Sequence, residues 1–171
     1  SAAVAVLLLM SNNAYYLGRA KPLSGKEVNI SGTLSDLPYE KDGSFYYVLK
    51  SDTVNGEKSS LSFRVVSKTP LCIDVTDEVS LSAKAFLLGG DSDEILRYYK
   101  SKSLFLGAYS PENISVKRGE KKNIGTLILA LRQKLTSEIL ALLPNTYGGL
   151  AAGLCYGDKT NIPRNVTSAF S

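Results

Sequence analysis

From Lys26 to Lys117 apolar and polar residues alternate, and after Lys122 the repeat lengthens to that of a helix. A strand turns successive side chains to opposite faces, so a period of two commits this part of the chain to sheets with one buried and one wet face. "EVNISGTLSDL" sets Val28, Ile30, Gly32 and Leu34 against Asn29, Ser31, Thr33 and Ser35. "SFYYVLKS" sets Phe45, Tyr47 and Leu49 against Tyr46, Val48 and Lys50, and "SSLSFRVVS" sets Leu61, Phe63 and Val65 against Ser62, Arg64 and Val66. "DEVSLSAKAFLL" places Val79, Leu81, Ala83, Ala85 and Leu87 on one side and leaves Lys84 and Phe86 on the other. Turn residues in "PYEKDG" and "VNGEK" separate these runs.

A short helix is expected over residues 92–100, where Ser92 can cap and Asp93 and Glu94 suit the positive end. A last strand pair is expected at "SLFLGAY" and "NISVKR". About five short antiparallel strands with one short helix suit a small barrel of the OB type, whereas an immunoglobulin-like sandwich would need about seven. The fold class is therefore mainly β with appended α-helices.

The helical part begins after the basic run Lys117, Arg118, Lys121 and Lys122. Ile124, Leu127, Ile128, Leu131, Leu135, Ile139 and Leu142 fall on one stripe, with Arg132, Gln133, Thr136 and Ser137 opposite, until Pro144 ends the pattern. Such a helix either lies against the barrel or rests in a membrane interface. Further helices are expected over residues 146–156 and 163–170. At the other end, the nine apolar residues 2–10 are half of what a bilayer span needs, at about 20. They suit either the end of a truncated membrane helix, with Tyr15 and Tyr16 at the interface, or a short buried helix. Three parts follow: residues 1–22 as helix end and linker, 23–119 as the barrel, and 120–171 as the helical segment.

Composition excludes some chemistry. The chain has no histidine, which removes Ser-His-Asp and Cys-His arrangements, and no catalytic residue, metal ligand set or cofactor is expected. The net charge of +4 permits an anionic partner without demanding one. Cys72 and Cys155 are the only cysteines, too far apart in sequence for a Cys-x-x-Cys pair. Two buried thiols are the simplest expectation, and a disulfide between them is the alternative for an extracytoplasmic domain.

The stretch "GGLAAGLCYGDKT" looks at first like a phosphate loop. Gly153 and Gly157 are four apart rather than five, and Asp158 would stand inside the anion nest, so it is not one. Gly149, Gly153 and Gly157 recur instead at helical spacing and expose a face that another helix can approach.

The last 45 or so residues, from "ALRQKLTSEILALLP" through "GGLAAGLCYGDKT" to Phe170, resemble the ComEC family of competence channels. The matching elements are Arg132, Pro144, Gly153, Leu154, Gly157, Asp158, Lys159 and Phe170, and the upstream region is similar in outline to that family's extracytoplasmic domain. The resemblance implies a domain on the outer side of the cytoplasmic membrane that handles incoming DNA in natural transformation. It also implies the remaining membrane domain of the same chain as a partner; self-association is expected only if the domain is a structural module that docks on a second copy. The channel and any nuclease-like domain of that family are absent, so transport and cleavage are not expected of these residues, and the domain is not expected to be an enzyme.

A barrel of this type binds single strands, without sequence preference, by cations and aromatic platforms on an outward face. The alternation nominates Tyr46, Lys50, Arg64, Lys84 and Phe86, with Arg64 the best single candidate. Phe45, Tyr47 and Phe63 belong inside, and Tyr98 and Tyr99 are assigned to helix packing. Lys117, Arg118, Lys121 and Lys122 are either phosphate contacts or a charged hinge. The competing expectation is a structural or oligomerisation module with no affinity for DNA of its own.

Overall fold

The computed structural model describes residues 14–89, 93–119, 124–156 and Ile162. It divides into two compact units, residues 1–121 and 122–171.

The first unit is a closed barrel of mixed pairing. Its strands are β1 (Glu27–Leu34), β2 (Tyr39–Lys41), β3 (Ser44–Val54), β4 (Glu57–Lys58), β5 (Ser62–Ser67), β6 (Glu78–Leu87) and β7 (Leu104–Lys117). Five of them close the ring in the order β1, β3, β5, β7, β6 and back to β1. Four junctions are antiparallel, but β5 pairs with β7 in parallel, which corrects the expectation of antiparallel strands throughout: alternation within one strand carries no information on the direction of its neighbour. The five-stranded closure, with helices after it, is the mainly β, OB-type architecture expected from the repeat.

The alternation places the core as read. Val28, Ile30, Leu49, Phe63, Val65, Val79 and Leu106 are all at most 1% exposed. Tyr47 is buried with them, and its hydroxyl accepts the Leu71 N–H at 2.7 Å, tying the irregular β5–β6 connection to the barrel. Phe45, also expected inside, is only half-buried.

The short strands β2 and β4 are hairpin returns against β3, each made by a two-residue turn. Asp42-Gly43 and Asn55-Gly56 all have φ between 52° and 82°, the left-handed pair that matches strand twist.

A helix, α1 (Asp93–Ser101), connects β6 to β7 as expected. The anticipated final strand pair is one 14-residue strand, β7, instead. Pro111 lacks an N–H and predicts a break, but it falls where the β6–β7 register shifts and Ser110 and Asn113 take φ of 46° and 50°. An irregularity of that kind lets proline pass through a strand.

Before the barrel, residues 14–20 are helical and lead into a 3-10 turn, Lys21–Leu23. Tyr16 stacks on Phe105 with ring centres 6.4 Å apart, while Tyr15 stays exposed. Residues 1–13, which carry the proposed membrane-helix end, lie outside the described residues.

The second unit holds α2 (Ile124–Leu142) and α3 (Asn145–Tyr156). Here the expected stripe is not the buried face: Ile124, Leu127, Ile128, Leu131, Leu135 and Leu142 are exposed, as are Gln133 and Ser137 opposite them, and the buried positions are Thr126, Leu129 and Thr136. Apolar residues surround the first half of α2, so periodicity did not single out one face. The close approach of α3 to α2 falls on Gly148, where a Cβ would lie 3.1 Å from Leu140 Cδ2. Of the glycines nominated for packing, Gly149 is buried, Gly153 is half-buried and Gly157 is outside the described residues, as is the whole of the expected 163–170 helix. Among the described residues no helix is long and apolar enough to cross a membrane.

Candidate functional site

The outward side chains of β3 and β5 build the densest chemistry on the barrel. Strand pairing sets Tyr46 opposite Val66 and Val48 opposite Arg64, all facing away from the core. β2 adds Tyr39 opposite Tyr46, and the two rings stack with centres 5.0 Å apart and planes 12° from parallel. Aromatic pairs of this kind add about 0.5–1.5 kcal/mol beyond their burial.

Arg64 is the centre of this group. Its guanidinium carbon lies 4.5 Å from the ring centre of Tyr46 and 5.6 Å from that of Tyr99. Its Nη1 donates to the Tyr99 hydroxyl, while its Nε–H is buried without a hydrogen-bond partner. Tyr99 comes from α1 with its neighbour Tyr98, which is 57% exposed and meets Tyr99 edge to face. Lys102 caps the group, its Nζ 5.4 Å from the Tyr98 ring centre. Three segments, β2 in the β1–β3 connection, the β3–β5 face, and α1 in the β6–β7 connection, thus converge on one arginine. The same parts of an OB barrel, the second and third strands with the 1–2 and 4–5 loops, are where oligonucleotides and oligosaccharides bind in other proteins of this architecture.

Burial raises the Tyr39 phenol above its ordinary range, the nearby Arg64 cation pulls it partway back, and the Tyr98, Tyr99 and Tyr46 phenols push it up again. Burial likewise raises Tyr47, against the pull of its Leu71 hydrogen bond. A phenol raised on folding contributes stability that is intact below the unfolded value near 10 and lost as pH rises through the folded value. Tyrosinate absorbance on alkaline titration should therefore show two phenols ionising above the ordinary tyrosine range, with stability falling from about pH 10 upward. Tyr39→Phe should remove one late step; a titration unchanged by that substitution would contradict the assignment.

A second aromatic pair sits further round the outer surface. Phe86 on β6 and Tyr109 on β7 stack with centres 4.3 Å apart and planes 8° from parallel, and Tyr109 is 56% exposed. Lys84 is exposed and pairs in register with Tyr109.

The nominated residues therefore divide. Tyr46 and Arg64 belong to the main group, and Phe86 and Lys84 to the second. Lys50 is exposed on the same side of β3 but beyond Val48, away from Tyr46. Lys117 and Arg118 are exposed at the far end of β7, eight or more residues past Tyr109, about 25 Å along an extended strand. Lys121 and Lys122 are outside the described residues. Cys72 and Cys155 are exposed free thiols rather than buried ones, since Cys72 lies in the irregular β5–β6 connection and Cys155 near the end of α3.

Tyr39, Tyr98, Tyr99, Lys102 and Tyr109 were not nominated. Only Tyr109 carried a usable signal, the outward phase of "LFLGAY". Among the described residues no group of three or more His, Cys, Asp or Glu could hold a metal ion. No protein-family model matches the chain, and no curated protein matches it.

Proposed function

We propose that the barrel binds single-stranded DNA without sequence preference, as the extracytoplasmic domain of a ComEC-type DNA-uptake channel at the cytoplasmic membrane. The observation that carries the binding part is Arg64 held between Tyr46 and Tyr99, beside the Tyr39 stack, on the β3–β5 face. Flat rings offer stacking to any base, and arginine offers both a planar cation and a phosphate partner. No catalytic or cofactor role enters this proposal.

The charge distribution sets the strength. Residues 14–119 carry fourteen Lys and Arg against thirteen Asp and Glu, so long-range attraction is small and contact cations must do the work. Arg64, Lys84 and Lys102 are three such cations near the rings. For single strands each neutralised phosphate contributes a slope of about −0.7, so log K should fall against log salt with a slope of about −2. Fluorescence anisotropy with a labelled single-stranded 20-mer measures this. Absence of binding at low salt, or binding indifferent to salt, would defeat the proposal.

The second reading, a docking or oligomerisation module, draws on the exposed apolar residues of α2, with Ile124 78% and Leu142 81% exposed. Concentration-dependent sedimentation without any DNA affinity would favour it.

A further inference from the structure

Strand register links the two aromatic pairs. Tyr39 pairs with Tyr46, Tyr46 with Val66, Val66 with Tyr109, and Tyr109 with Lys84. Every one of these side chains points outward, so they form a single row running across β2, β3, β5, β7 and β6. The adjacent row reads Val48, Arg64, Gly107 and Phe86. Gly107 is the join: a Cβ there would lie 2.1 Å from Phe86 Cζ, so the Phe86 ring lies across the β7 backbone in the space a side chain would fill. That position brings Phe86 towards Arg64 along one row while it stacks on Tyr109 in the next.

We infer that the Phe86–Tyr109 pair, with Lys84, is a second stacking subsite, and that a single strand lies across the strands in one track from Tyr39 to Lys84. The inference rests on the DNA-binding proposal and extends it beyond the β3–β5 face. Four inter-strand spacings give a track of about 19 Å. That is about four nucleotides between fully stacked and extended spacing, the lower end of site sizes for one such barrel. Glu27 pairs with Lys84 on the next strand, and Glu112 lies with Glu27 in the groove of about 520 Å³ beside Tyr109. Two carboxylates there repel phosphate and end the track after Lys84.

The test uses the 171-residue chain and labelled oligothymidylates of two, four and eight nucleotides. Affinity should climb steeply from the dimer to the tetramer, then rise only a few-fold to the octamer as the number of registers grows. Tyr109→Ala, at an exposed position, should cost the tetramer about tenfold and leave the dimer on the Tyr39–Tyr46 platform nearly unaffected. Gly107→Ala should reproduce that loss by displacing the Phe86 ring, with the circular dichroism of the barrel retained. If Tyr46→Ala weakens tetramer binding but Tyr109→Ala does not, the track is wrong and the β3–β5 site stands alone. If the unsubstituted chain binds none of the three, the track and the DNA-binding proposal fall together.

Discussion

Gly32→Ala should unfold the barrel or lower its melting temperature by more than about 10 °C, the largest stability effect expected of any single methyl group in this chain. Gly32 sits on β1 where the pairing with β3 shifts register, between Ser31 opposite Thr53 and Gly32 opposite Ser51. A Cβ at this position would lie 2.1 Å from the Lys50 carbonyl oxygen and 2.8 Å from Ser51 Cα. Both atoms are backbone, so no side chain can swing aside, and β1 and β3 would have to separate where the ring closes. Overpacking into movable neighbours costs about 1–3 kcal/mol, and a clash with fixed backbone belongs at or above the top of that range. Gly18→Ala is the control. It lies in the helical residues 14–20 with nothing within 4 Å of an added Cβ, and should be neutral or stabilising by a few tenths of a kcal/mol. A melting point for Gly32→Ala within about 3 °C of the parent would mean that β1 and β3 do not approach as described.

Gly32 also illustrates what alternation can and cannot convey. Alternation makes it an inward position of β1, in phase with Val28, Ile30 and Leu34, and it is buried there, yet nothing local explains why that position is glycine. The reason is a strand about twenty residues later in the chain. The same limit applies to the site. Period two is a property of one strand, and it correctly turned Tyr46, Arg64, Lys84 and Phe86 outward. Convergence is a property of register between strands, and it depends on the parallel β5–β7 junction, which brings Tyr109 beside Val66 and Gly107 beside Arg64. The sequence alone assigns Tyr99 to packing, since tyrosines on a short helix pack more often than they stack on a ligand. Its hydroxyl is in fact used by Arg64, from 35 residues away. The expectation of buried thiols fails for a related reason: thiols are usually buried, but Cys72 lies in an irregular connection with no phase to read, and Cys155 lies on the exposed side of α3.

Arg64→Ala should weaken single-strand binding by tenfold or more and make it less sensitive to salt. The guanidinium supplies two cation–π contacts, each about 0.5–2 kcal/mol depending on exposure, and a hydrogen bond that fixes the Tyr99 ring. Without it Tyr46 and Tyr99 lose their shared partner, the platform loses its orientation, and one phosphate contact disappears, taking about 0.7 from the salt slope. Arg64→Lys separates these effects. An ammonium keeps the charge but is not planar and cannot hold two rings and a hydroxyl at once, so the slope should survive while most of the affinity does not. Arg64 is also the cation that draws the Tyr39 phenol down, so Arg64→Ala should shift the Tyr39 ionisation to still higher pH. That shift reports on the cluster in the absence of any ligand. An alanine variant with the late titration moved and the DNA affinity unchanged would leave the cluster intact as geometry and remove it from the binding surface; a lysine variant with full affinity would reduce Arg64 to a charge.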